Sequence, residues 1–120
     1  MPRYKVTQVE DVTVIEFEGT ILTRRFLWMG ALDALLLQGR RTFVVSLENA
    51  RLQGFADARF VSAIAERVIE HGARVVFVAP PGRRAAARVR SIARHDHVLA
   101  APTVDSALEA VRRWERPSGP

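Results

Sequence analysis

The clearest apolar pattern in the chain runs from Arg41 to Val78. Thr42-Phe43-Val44-Val45-Ser46-Leu47 is an almost unbroken apolar run rich in β-branched and aromatic residues, which predicts a strand buried on both faces. Glu48-Asn49-Ala50-Arg51-Leu52-Gln53-Gly54-Phe55 then breaks the pattern and reads as a loop. Phe60, Val61, Ile64, Ala65, Val68 and Ile69 recur at helical spacing, and Gly72 follows where a left-handed cap would stop that helix. Arg74-Val75-Val76-Phe77-Val78 is a second apolar strand, closed by Pro80-Pro81. Two such strands joined through a helix form a parallel βαβ unit. Functional loops in these sheets gather at the carboxyl ends of the strands, which directs attention to the loop from Glu48 to Asp57.

Before this unit, Tyr4 to Val9 and Val12 to Glu18 predict an antiparallel hairpin around Glu10-Asp11, with Glu16 and Glu18 toward solvent and Gly19-Thr20 closing the second strand. Thr23 is placed to cap a first helix over residues 24–38, with Gly39 as its stop. Phe26, Leu27, Met29, Leu32, Leu35, Leu36 and Leu37 fill more than one stripe of that helix. Trp28 and Met29 therefore either present an apolar flank to a partner, a second copy of the chain included, or pack beneath the hairpin.

After the unit, Pro81 suits the first position of a short basic helix over residues 82–93, and His97 to Ala100 reads as a brief strand. Thr103 caps a last helix carrying Val104, Ala107, Leu108, Val111 and Trp114. The expectation is a single α/β domain over residues 1–115, with a mixed sheet of about five strands and about four helices, and a frayed tail over 116–120.

The composition narrows the function more than it identifies it. With no cysteine among 120 residues, disulfides, thiolate metal sites and cysteine nucleophiles are excluded. Met1-Pro2-Arg3-Tyr4-Lys5 has no apolar signal region, and the longest apolar stretch, Phe26 to Leu37, is too short to span a bilayer and contains Asp33. The expected location is cytoplasmic, without membrane insertion. The net charge of +5 comes mostly from the second half, where Arg83, Arg84, Arg88, Arg90 and Arg94 fall in one segment. They form either a solvated helix face or a patch for nucleic acid or another anionic ligand, although no aromatic residues interleave with them as a stacking platform requires.

Catalytic patterns are missing. There is no GxGxxG, P-loop, HExxH or GxSxG. His95-Asp96-His97 offers two imidazoles on one strand face, but no third metal ligand lies near in sequence, so no metal is expected. Ser46, Asp57 and Ser62 have no histidine placed beside them. His71, at a helix end, suits the negative end of the helix dipole. The expectation is a non-enzyme without a cofactor.

Taken in order, these segments resemble a STAS domain, the family of bacterial anti-sigma factor antagonists and of related cytoplasmic domains of anion transporters. The resemblance covers Tyr4 to Val111. It rests on Phe17-Glu18-Gly19-Thr20-Ile21-Leu22 as a strand ending in a glycine-led turn, and on Val44-Val45-Ser46-Leu47-Glu48 at the strand written V-V-x-D-L-S. It rests also on the helix stop His71-Gly72, the strand Arg74 to Val78, and Thr103-Val104-Asp105-Ser106-Ala107-Leu108 at the closing S-V-E-E-A-L segment.

The resemblance implies a mixed α/β fold, a regulatory role through protein binding, and a D-S-S-G or D-T-S-G tetrapeptide whose first hydroxyl residue is phosphorylated by an anti-sigma kinase. Here Gly54-Phe55-Ala56-Asp57 stands over that tetrapeptide, so the acceptor position is Phe55, and Ser46 replaces the strand aspartate. A phosphate would place about −1.5 to −2 charges at a helix start; phenylalanine has no hydroxyl to carry one. The expected partner surface is Arg51, Gln53, Gly54, Phe55, Asp57 and Arg59, with Phe55 either an exposed aromatic anchor or the first residue of the buried helix stripe. The resemblance offers an anti-sigma factor, a stressosome-type assembly or a lipid-transporter ATPase as partner.

Overall fold

Seven residues of β1 (Arg3–Val9) pair antiparallel with β2 (Val12–Ile21), in a register running from Val9 opposite Val12 to Arg3 opposite Glu18. The structure, a computed structural model, describes residues 3–21, 28–52, 56–79 and 97–115. After the hairpin come α1 (Trp28–Leu37), β3 (Thr42–Leu52), α2 (Ala56–Glu70), β4 (Arg74–Val78), β5 (Val98–Ala101) and α3 (Val104–Glu115). The sheet is mixed, in the order β1-β2-β3-β4-β5, with every pair after the hairpin parallel.

Both faces of this sheet are covered, which is why its central strands read as unbroken apolar runs. On one face Ile15, Phe17, Phe43, Val45, Leu47, Val75 and Phe77 meet Leu32 and Leu36 of α1 and Val61, Ile64 and Val68 of α2. On the other, Val12, Val14, Val44, Val76 and Val78 meet Ala107 and Val111 of α3, with Leu108 and Trp114 packed at the margin. Each such buried side chain contributes about 1.5–3 kcal/mol, so these two layers outweigh any single polar contact described below.

The helix ends follow the sequence signals closely. Gly39 and Gly72 both have left-handed φ values, +92° and +68°. At each, two amides satisfy the last carbonyls: Gly72 N–H donates to Ile69 O at 3.0 Å and Ala73 N–H to Val68 O at 2.9 Å, and Gly39 and Arg40 do the same to Leu36 and Leu35, both at 3.1 Å. The His71 ring nitrogen Nδ1 lies 3.0 Å from the Arg67 carbonyl oxygen and must carry the proton, because a carbonyl only accepts. Thr103 caps α3 reciprocally with Ser106: each backbone amide donates to the other's hydroxyl oxygen at 3.1 Å.

Three expectations are corrected. First, β3 does not end at Leu47; Glu48 to Leu52, expected in a loop, continue the strand, and the rest of that expected loop, 53–55, lies outside the described residues. Second, β2 does not close at Gly19-Thr20 but runs to Ile21, with Gly19 accommodating a φ of +79° inside the strand. Third, β5 starts at Val98, one residue late, and reaches Ala101. Three helices are present among the described residues. The fourth expected helix, over 82–93, lies outside them, as do residues 22–27 before α1 and the 116–120 tail.

The first two corrections share a cause. Glu16 is opposite Ser46, but Glu18 is opposite Asn49, so β3 carries one extra residue there. Leu47 and Ala50, three apart, consequently sit in the same core layer, which plain alternation forbids.

Candidate functional site

The carboxyl end of the sheet is uneven. β4 pairs with β3 only from Thr42 to Ser46, and β1 leaves β2 after Glu18. Beyond these rungs, among the described residues, β2 and β3 continue together as a two-stranded parallel ribbon, from Gly19 opposite Ala50 to Ile21 opposite Leu52. Five steps along β2 take Glu16, the partner of Ser46, to Ile21, the partner of Leu52, so the ribbon reaches roughly 17 Å past the last rung shared with β4 at about 3.3 Å per residue. α2 begins at Ala56, only three residues after the ribbon ends.

Ser46 occupies the last of those shared rungs, opposite Val78. Its side chain is buried, and its Oγ accepts the Glu48 amide at 3.5 Å, a long bond to a backbone group displaced by the extra residue. In the position where the resemblance expects a carboxylate, this hydroxyl supports the bend. Glu48 beside it is half-buried, and Asn49 and Glu18 are exposed.

The expected surface residues fall around this ribbon and the start of α2. Arg51 is in the ribbon, opposite Thr20; Asp57 and Arg59 are both in the first turn of α2, and Arg59 is exposed. Gln53, Gly54 and Phe55 lie outside the described residues, so the alternatives for Phe55 stand as the sequence left them. So do the arginines of the basic patch, Arg83, Arg84, Arg88, Arg90 and Arg94. Sequence reasoning assigned Glu48 and Asn49 to a loop; their strand pairing had no legible signal, because the extra residue destroys the alternation that marks a strand.

Behind this surface an ion pair links α2 to α1. Arg67 Nη1 lies 3.5 Å from Asp33 Oδ1, both side chains being about two-fifths exposed. That oxygen is itself shielded from water and accepts no hydrogen bond, so the contact is electrostatic rather than aligned. On α1, Met29 packs against the first core layer, whereas Leu37 is 81% exposed. Met29 therefore sits on the core rather than on a free apolar flank, and the side chain of Trp28 lies outside the described residues.

Among the described residues no three His, Asp or Glu side chains converge on a metal position, and no helix is long and apolar enough to cross a membrane. The ring Nδ1 of His97 lies 3.1 Å from the Ala73 carbonyl oxygen, at the opposite end of the sheet, while His95 and Asp96 lie outside the described residues. A shallow cleft bounded by Val9, Glu10, Asp11, Val12, Leu108, Val111 and Arg112 also sits at that far end, between the hairpin turn and α3.

No family model matches the chain, and no curated protein matches it in sequence. Solved structures do match. An anti-sigma factor antagonist from Mycobacterium paratuberculosis shares 23% identity over 93% of this chain and 95% of its own, with a TM-score of 0.67. The anti-sigma factor antagonist SpoIIAA in its unphosphorylated form matches at 15% identity over 92% and 98%, with a TM-score of 0.65. An uncharacterised Shewanella loihica protein with a SpoIIAA-like fold matches at 12% identity over 91% and 92%, with a TM-score of 0.61. The chain has the STAS-like fold of these proteins over about nine-tenths of its length.

Proposed function

We propose that this chain is a non-catalytic protein-binding module of bacterial regulation, working in the cytoplasm without a phosphorylation switch at the start of α2. The single observation that carries the reading is the likeness to anti-sigma factor antagonists over nine-tenths of both chains. The ribbon and the α2 start supply its surface. Arg51, Gln53, Gly54, Phe55, Asp57 and Arg59 form the partner face, and residues 1–115 form the unit that carries it. An antagonist that is switched needs a hydroxyl where this chain has Phe55, immediately before the first residue of α2. Without it, binding is constitutive and is controlled by the amounts of the two proteins, or at the partner.

The partner class favoured by the likeness is an anti-sigma factor; a stressosome-type assembly and a transporter ATPase are the other outcomes of the same experiment. Affinity purification of the tagged chain from its own host is run beside Phe55→Glu and Arg59→Glu. A protein retained by the parent and lost from both variants supports this surface. Retention of every specific partner by both variants rejects it, and nucleic acid that elutes with modest salt would transfer the function to the arginines of 83–94.

A further inference from the structure

A second surface, at the opposite edge of the sheet from β5, has the chemistry for self-association. Among the described residues no strand pairs with the outer edge of β1. The two-residue turn Glu10-Asp11 makes Val9 and Val12 the closing pair of the hairpin, which in a two-residue loop is a hydrogen-bonded pair. Alternation then turns the amides and carbonyls of Arg3, Lys5, Thr7 and Val9 toward β2, and those of Tyr4, Val6 and Gln8 away from it. Three consecutive outward positions are a ready template for another strand.

The side chains at these three positions share the face of the first core layer. Tyr4 and Val6 are 46% and 41% exposed, while the Tyr4 ring sits 6.0 Å from the ring of buried Phe17, centre to centre. The core therefore continues to the sheet edge and stops there uncovered. Lysine at an edge usually deters pairing, but Lys5 projects from the other face and stands opposite Glu16 in the hairpin.

We infer that β1 pairs antiparallel with β1 of a second copy, in the register centred on Val6, to form a continuous ten-stranded sheet. The sequence of the strand selects both the occupant and the register. Centred on Val6, Val6 faces its own counterpart, Tyr4 faces Gln8, Lys5 faces Thr7 and Arg3 faces Val9, so no like charges are opposed. All three outward residues exchange both backbone bonds, which gives six across the junction. Centring on Lys5 sets two lysines face to face and uses two outward residues instead of three. Centring on Thr7 forfeits a rung in the same way and brings Tyr4 against Glu10. Tyr4 then lies diagonally across Val6 of the second copy, closing the apolar strip over the junction. The two-fold axis runs perpendicular to the sheet, so the two ribbons point in opposite directions.

The test uses the whole chain. Its mass in solution, by light scattering across micromolar to several-hundred-micromolar concentrations, is expected to rise to twice 13.4 kDa. Val6→Pro removes an outward amide without taking a hydrogen bond from the hairpin, and it is expected to remain folded by circular dichroism and to stay at 13.4 kDa. As the chain has no cysteine, Val6→Cys supplies an independent readout: a short bismaleimide should join two copies, whereas Leu37→Cys should not react in this way. A parent that stays monomeric at every concentration overturns the proposal. So does a Val6→Pro dimer, or cross-linking at Leu37→Cys equal to that at Val6→Cys, either of which assigns self-association to another face.

Discussion

The guanidinium of Arg74, in the first rung of β4, lies 5.5 Å from the centre of the Trp114 ring and donates to the Trp114 carbonyl oxygen at 3.3 Å. One side chain thus holds both the aromatic ring of Trp114 and a backbone carbonyl of the final turn of α3. Arg74→Ala is expected to cost about 1–2 kcal/mol, from a cation–π contact of about 0.5–1 kcal/mol and one charge-assisted bond. Trp114→Leu should lose the first contribution and keep the second, and so cost less than Trp114→Ala. Denaturant titrations of the three variants check the order.

Glu10 has a φ of 57°, the one non-glycine residue with a positive φ among those described. A side chain in this region costs about 1 kcal/mol that glycine avoids. Glu10→Gly is therefore expected to raise the melting temperature by a few degrees without altering partner binding. A fall on thermal melting would mean that the carboxylate contributes more to the turn than the strained backbone takes away.

The same substitution should act with opposite signs at two glycines. At both Gly30 and Gly72 an added Cβ would meet nothing within 4 Å, so space does not decide the outcome. Gly30 is inside α1 with ordinary helical backbone, and Gly30→Ala should stabilise by about 0.5–1 kcal/mol. Gly72 is held at φ +68° by the α2 cap, and Gly72→Ala should destabilise by about 1 kcal/mol. Chemical denaturation of the pair checks the contrast within one protein.

The absent hydroxyl gives a chemical test. Incubation with ATP and an anti-sigma kinase that phosphorylates a related antagonist should add no phosphate to residues 54–57 by mass spectrometry, and Phe55→Ser should create an acceptor. Phosphate appearing in that segment of the parent would place the switch elsewhere in it and remove the argument for constitutive binding.

Elements with regular periodicity could be read from the sequence. The runs at 43–47 and 74–78 are apolar because both faces of those strands are covered, and Gly39 and Gly72 stop their helices at the positions read for them. Thr103 caps as expected, with Ser106 in place of the usual glutamate or glutamine. Glu48 to Leu52 could not be read: a strand with an extra residue loses its period of two, and its polar positions imitate a loop. The uncovered edge of β1 was equally hidden, since alternation in a hairpin does not reveal which of its strands will lie outermost. The candidate surface was legible only as a place, after the third strand and before the second long helix. Its mounting on a projecting ribbon required coordinates.

That ribbon separates two demands that a small domain usually has to reconcile. Past the Ser46–Val78 rung, Ala50 is buried, while Glu18, Asn49 and Arg59 face solvent. Exposed positions of this kind change stability by about 0.5 kcal/mol or less when substituted. Specificity can therefore drift, or be redesigned, almost independently of folding, and duplicated copies of such a chain could acquire different partners while their interiors stayed the same.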